Sequence, residues 1–243
     1  MWYMPYLRVR RAVLIYVCVA AGITLVAVAL RLWPGAHVTV GDAAEHSYVD
    51  VAMLGAGAAA LVGGLATVLG LNLAAENEGH LELAWTKPVS REGYALGVFA
   101  VDIGAIAACI VFTALCGAIV VDVFSGFQAV AASTGDDLLR TFAFCGLPLL
   151  VYAWIAAMSA SLKRNRGAVA GLFWPLMLAV GLLQSVRIPA VHAAASALNL
   201  INPLSIYTSG AGRLPSLWTF AWGWLIAAIL LAAALVQWRR LEL

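Results

Sequence analysis

The chain has 243 residues, 64% of them hydrophobic and only 11% charged, with a formal net charge of +2. Soluble domains hold about half apolar and about a quarter charged residues, so this composition excludes an ordinary soluble enzyme or binding module. The small net charge is too mild to argue for nucleic acid as a partner, and none is expected.

The apolar residues gather into six runs almost free of charge, at about 12–30, 51–71, 95–121, 141–160, 167–186 and 216–236. Each is about 20 residues or longer, the length a helix needs to cross a ~30 Å hydrocarbon core. Lipid offers the backbone no partners, so each run must bond to itself as a helix, and the alternation of a β-barrel strand is absent. The expected fold class is an all-α integral membrane protein with six transmembrane helices, forming one membrane domain over residues 1–243.

The first run follows "MWYMPYLRVRR". It is too long for a signal-peptide core, and "RLWPGAH" after it lacks a small-x-small cleavage site, so it is read as an uncleaved span. Trp2, Tyr3, Tyr6 and Leu7, with Arg8, Arg10 and Arg11, offer a short interfacial helix of about two or three turns. The next loop holds His37, Asp42, Glu45 and His46, a spacing that imposes no coordination geometry, and no metal site is expected there.

After the second run comes the one strongly polar stretch, "AAENEGHLELAWTKPVSREGYALG", with Glu76, Glu78, Glu82, Glu92, Lys87 and Arg91. Gly79 breaks the helix leaving span two. Leu81, Ala84 and Trp85 then share a face of a short helix, with Glu82 turned away from them. Pro88 stops that helix, and Ser90 is placed to cap the third span, with Glu92 favourable in its first turn. A simple connector needs neither the Leu/Trp face nor the two punctuating residues, whereas a docking element needs both.

Asp102 is the one acid deep within a span, expected about two turns into the third. Such a residue is costly in lipid and marks a candidate site; it faces a water-filled vestibule or bonds a neighbouring helix. Cys18, Cys109, Cys116 and Cys145 all fall inside runs and read as buried thiols. Pro148 and Pro175 fall in the fourth and fifth runs, where they are expected to kink the helices. In "RIPAVHAAASALNLINPLSIYTSGAGRLPS", Val191, Ala194, Leu198 and Ile201 recur at helical spacing. That predicts a short helix dipping into the membrane and ended by Asn202-Pro203. Gly93-x-x-x-Gly97 and Gly167-x-x-x-Gly171 permit close helix contact but arise readily in a chain this rich in glycine and alanine.

If the spans alternate, Arg8, Arg10, Arg11, Lys87, Arg91, Lys163, Arg164, Arg166, Arg239 and Arg240 share one side, and Arg31, Arg140, Arg187 and Arg213 the other. The positive-inside rule then puts both termini in the cytoplasm. The residues of an enzyme are missing. Lys87 and Lys163 are the only lysines and neither follows a glycine, so a phosphate-binding loop is impossible, and no His-Glu-x-x-His pair exists. No catalytic, cofactor-binding or metal-binding residue is expected.

The stretch "ENEGHLELAWTKPVSREGY" resembles the cytoplasmic loop of type-2 ABC exporter permeases. Its matching residues are Glu76, Glu78, Gly79, Leu81, Leu83, Pro88, Val89, Ser90 and Arg91. The six-run layout, the basic "KRNR" before span five and "NPLSIY" before span six resemble the same family. The resemblance implies a permease subunit of a bacterial cytoplasmic (inner) membrane exporter, paired as a dimer with a second permease copy and served by two copies of a separate ATPase subunit that holds the ATP and magnesium. It also implies that the loop is a coupling helix seated in that ATPase, with Glu82, Trp85 and Lys87 among its contacts. This chain departs from the family in its short N-terminal stretch. The few polar groups in the spans favour an amphipathic or hydrophobic cargo such as a lipid, antibiotic or lipopeptide. An ion- or proton-coupled secondary transporter centred on Asp102 is the rival expectation, although the paired broken helices or inverted repeats usual there are absent.

Overall fold

The computed structural model describes residues 3–32, 49–76, 91–125, 130–131, 146–161, 165–183, 188–203, 205 and 217–240. Seven helices run through them: α1 Tyr3–Leu32, α2 Val51–Glu76, α3 Arg91–Ser125, α4 Gly146–Ser161, α5 Arg166–Leu183, α6 Pro189–Asn199 and α7 Leu217–Arg240. The fold is all-helical apart from a minimal parallel pair, β1 (Val49–Asp50) against β2 (Val130–Ala131), with Val49 opposite Val130 and Asp50 opposite Ala131.

Two helices are long and apolar enough to cross a membrane, α1 through Val9–Leu30 and α3 through Gly93–Val120. The other four expected runs are represented by shorter apolar stretches among the described residues: Gly57–Leu71, Gly146–Ser159, Gly167–Leu183 and Ala221–Gln237. α1 starts at Tyr3, so Tyr3, Tyr6 and Leu7 of the stretch that offers an interfacial helix are continuous with the first helix, and Trp2 lies outside the described residues. Pro5 allows this because it falls in the first turn, where a backbone N–H has no acceptor within the helix. Pro148 falls likewise in the first turn of α4, so it starts that helix rather than kinking its interior, whereas Pro175 does lie inside α5. Asn165, inside the basic "KRNR", caps α5 by accepting the Ala168 N–H on its Oδ1 at 3.2 Å.

α2 packs against both α3 and α4; α1 lies on α3, and α7 on α4. Val62, Leu65, Ala66 and Leu69 recur at the three- and four-residue spacing of one helix face and meet Val98, Phe99 and Ile106 of α3 and Tyr152 and Ile155 of α4 in the main core. A second cluster joins Leu147, Leu150 and Ala153 of α4 to Ile226 and Ala227 of α7. α5 contributes Val169, Phe173 and Met177 to the main core and carries α6.

Two glycines admit the closest approaches. A Cβ at Gly70 of α2 would lie 2.7 Å from Ile155 Cγ2, and one at Gly146 would lie 2.6 Å from Cε2 of the Trp224 indole. Three of the glycines singled out by spacing do not act this way: Gly97 and Gly171 have open space, and Gly167 nears only its own Asn165. Outside the core, large apolar side chains are uncovered, among them Leu14, Ile15, Val19, Ile23, Leu25 and Val26 of α1 and Leu172, Leu176 and Leu182 of α5. A soluble monomer does not present so broad an apolar surface to water.

Candidate functional site

The expected docking segment falls between α2 and α3. Glu76 is the last residue of α2 and Arg91 the first of α3. Glu78, Gly79, Leu81, Glu82, Leu83, Trp85, Lys87, Pro88, Val89 and Ser90 lie outside the described residues. The two helices that bracket the segment pack on one another.

Of the two surroundings expected for Asp102, the structure shows the bond to a neighbouring helix. Asp102 is eleven residues into α3, which begins at Arg91, so it sits about 16 Å along the axis at 1.5 Å per residue. It is fully buried, as is Tyr152 of α4, whose Oη donates to Asp102 Oδ2 at 2.5 Å. Phe99, one turn before Asp102 on the same face of α3, meets the Tyr152 ring edge-on, with centroids 6.2 Å apart and planes at 88°. The carboxyl group thus bonds a neighbouring helix. Inter-helix hydrogen bonds in membranes are worth about 0.6 kcal/mol on average and up to about 1.7.

A second polar joint links α1 to α3. Thr113 Oγ1 donates to the Cys109 carbonyl at 2.7 Å, which uses its only hydrogen, so Tyr16 Oη is the donor in its 2.8 Å bond to Thr113 Oγ1. Cys109 is buried, but Cys116 is half-buried and Cys18 exposed, so the reading of buried thiols holds only for Cys109 among the described cysteines. Cys18 faces outward because the face of α1 that bears it is uncovered.

The third joint is at the end of α6. The helix predicted there is present, but its buried side chains are Ala195 and Asn199, whereas Ala194 and Leu198 are exposed. Hydrogen bonds decide the orientation. Asn202 Nδ2 donates to Asn199 Oδ1 and to the Met177 carbonyl of α5, both at 3.0 Å. Ser205 Oγ reaches the Asn199 carbonyl at 2.5 Å and the Asn202 carbonyl at 2.9 Å. The backbone tightens into three-residue bonds, Leu200 to Ala197, Ile201 to Leu198 and Asn202 to Asn199, as helix ends commonly do. Trp154 Nε1 of α4 donates to the Ile201 carbonyl at 2.9 Å. Asn199, Asn202 and Ser205 recur every three residues in "NLINPLS", a polar period that a search for apolar faces passes over.

Asp102 belongs to a helix joint in the core. Among the described residues no group of three or more His, Cys, Asp or Glu side chains is arranged to hold a metal ion. Comparison with protein-family models, with characterised proteins and with solved structures finds no match.

Proposed function

We propose that this chain is the six-span permease subunit of a type-2 ABC exporter in a bacterial cytoplasmic membrane. In this reading two copies form the translocation path and two separate ATPase subunits drive it. The observation that carries the proposal is the 76–91 segment, with its acids, glycine, alternating leucines and Pro-Val-Ser-Arg. Its position supports the reading, because it bridges the ends of two helices that pack on each other, so a push on it acts on both. The uncovered apolar surface supports a lipid setting. In this arrangement α1, α2, α3, α4, α5 and α7 are the six spans, α6 lies at the outer face, and both termini are cytoplasmic.

The mechanism follows from the division of labour. ATP binding draws the partner subunits together, the docked segments move with them, and α2 and α3 carry the displacement into the bundle. The chain supplies no chemistry of its own; its work is mechanical, and the few polar groups in the spans suit an amphipathic or hydrophobic cargo. The rival reading makes Asp102 the coupling site of an ion-driven transporter, and it requires transport that follows an ion gradient rather than ATP.

The test is capture of the ATPase subunit by the full chain, with ATP hydrolysis measured for each variant. Trp85→Ala and Leu81→Ala each remove an apolar anchor of the kind worth about 2 kcal/mol or more in an interface, and are expected to release the partner. Glu82→Ala is expected to be milder and salt-sensitive, because exposed ion pairs are weak and screened. Full binding and full hydrolysis in both anchor variants would overturn the assignment.

A further inference from the structure

Two side chains of α4 reach other elements through hydrogen bonds from neighbouring levels of the helix. Tyr152 and Trp154 are two positions apart, and at about 100° per residue they leave α4 on nearly opposite sides. Tyr152 bonds Asp102 of α3, although α3 and α4 otherwise touch little, since most of the packing of α4 is against α2 and α7. Trp154 bonds the carbonyl of Ile201, in the turn where Asn202 in turn holds the Met177 carbonyl of α5. Trp154 also lies against both apolar clusters. One level of α4 thus connects α3, which begins directly after the 79–90 segment, to the turn that fastens α6 on α5.

We infer that α4 is the relay between α3 and the turn at 199–203 that fastens α6 on α5, with Tyr152 and Trp154 as the positioning residues at its two contacts. The meaning of the two ends rests on the permease reading above: α3 receives the displacement that the ATPase imposes, and the turn belongs to the outer face. A hydrogen bond tolerates only a few tenths of an ångström before it weakens, so a shift of α3 either drags Tyr152 or breaks from it. α4 is clamped by α2 and α7 in a close-packed core and moves as a body, carrying Trp154 and the support of the Ile201 turn with it.

The experiment is hydrogen exchange of the full chain in lipid nanodiscs, read on peptides covering 188–205. Tyr152→Phe removes the hydroxyl alone and is expected to raise exchange there about threefold, the change one inter-helix hydrogen bond sets in a local opening equilibrium. Trp154→Phe is expected to do the same, and the double variant to exceed neither single one. Asp102→Asn keeps an oxygen acceptor for Tyr152 and is expected to preserve wild-type protection. Tyr16→Phe, which breaks the 2.8 Å bond between α1 and α3, bypasses α4 and is expected to leave 188–205 unchanged. The relay is refuted by unchanged exchange in Tyr152→Phe, by an equal rise in Tyr16→Phe, or by single effects that multiply in the double variant. No ATPase is present in this measurement, so its failure is distinct from failure of the partner-capture test.

Discussion

Gly70→Ala probes the joint between α2 and α4. The added Cβ would stand 2.7 Å from Ile155 Cγ2, 2.9 Å from Ile155 Cβ and 3.7 Å from the Tyr152 carbonyl oxygen. A rotation of Ile155 moves Cγ2 away, but Cβ is fixed to the α4 backbone, so the helices must part by about 0.5 Å or more to restore ordinary carbon–carbon contact. Overpacking of this kind costs about 1–3 kcal/mol, and replacing glycine by alanine within a helix returns about 1 kcal/mol. The net expectation is a loss of about 0–2 kcal/mol, which at about 2–4 °C per kcal/mol for a chain of this size lowers Tm by up to about 8 °C. Gly64→Ala, on the same helix with nothing within 4 Å, gains only the helix term and is expected to unfold at the wild-type temperature or slightly above it. Tryptophan fluorescence during thermal unfolding in detergent or nanodiscs reads both variants against wild type. If Gly70→Ala is as stable as Gly64→Ala, the close approach of α2 and α4 is refuted.

Cysteine labelling with a membrane-impermeant reagent is expected to mark positions 45 and 210 from outside and positions 87 and 164 only from the cytoplasmic side; labelling of position 87 from outside would overturn the topology and the docking argument with it. Asn202→Leu removes both donations from Nδ2, to Met177 and to Asn199, leaving buried acceptors without them. It is expected to cost about 1–3 kcal/mol, read as a lower unfolding temperature. Ser205→Ala, at a half-buried hydroxyl, is expected to lose about 1 kcal/mol or less by the same measurement.

Where the chain turns helical was legible without any structure. A run such as 95–121 has no choice inside lipid but to bond to itself, and α3 spans it with four residues to spare at each end. The helix at α6 was legible from the spacing of Val191, Ala194, Leu198 and Ile201, and Pro189 at its start is a further signal that this spacing passes over. The polar stretch between α2 and α3 stands out in the sequence as a pattern against an apolar background, and residues 77–90 of it lie outside the described residues.

How the helices face one another was not legible. In a soluble helix one face is apolar and the other polar, so periodicity points to the core. Here Leu14 and Ile15 are exposed while Val98 and Ile155 are buried, and nothing in their hydropathy separates them. Rotation about each axis and the height at which helices cross are therefore decided between helices, by small steric and polar events. Gly70 lets Ile155 approach, Tyr152 finds Asp102, and Asn202 turns the polar side of α6 inward against its apolar period. The first two depend on residues brought together from distant parts of the chain, such as 102 and 152, and with apolar side chains outside as well as inside the contrast by which sequence alone marks an inside is lost.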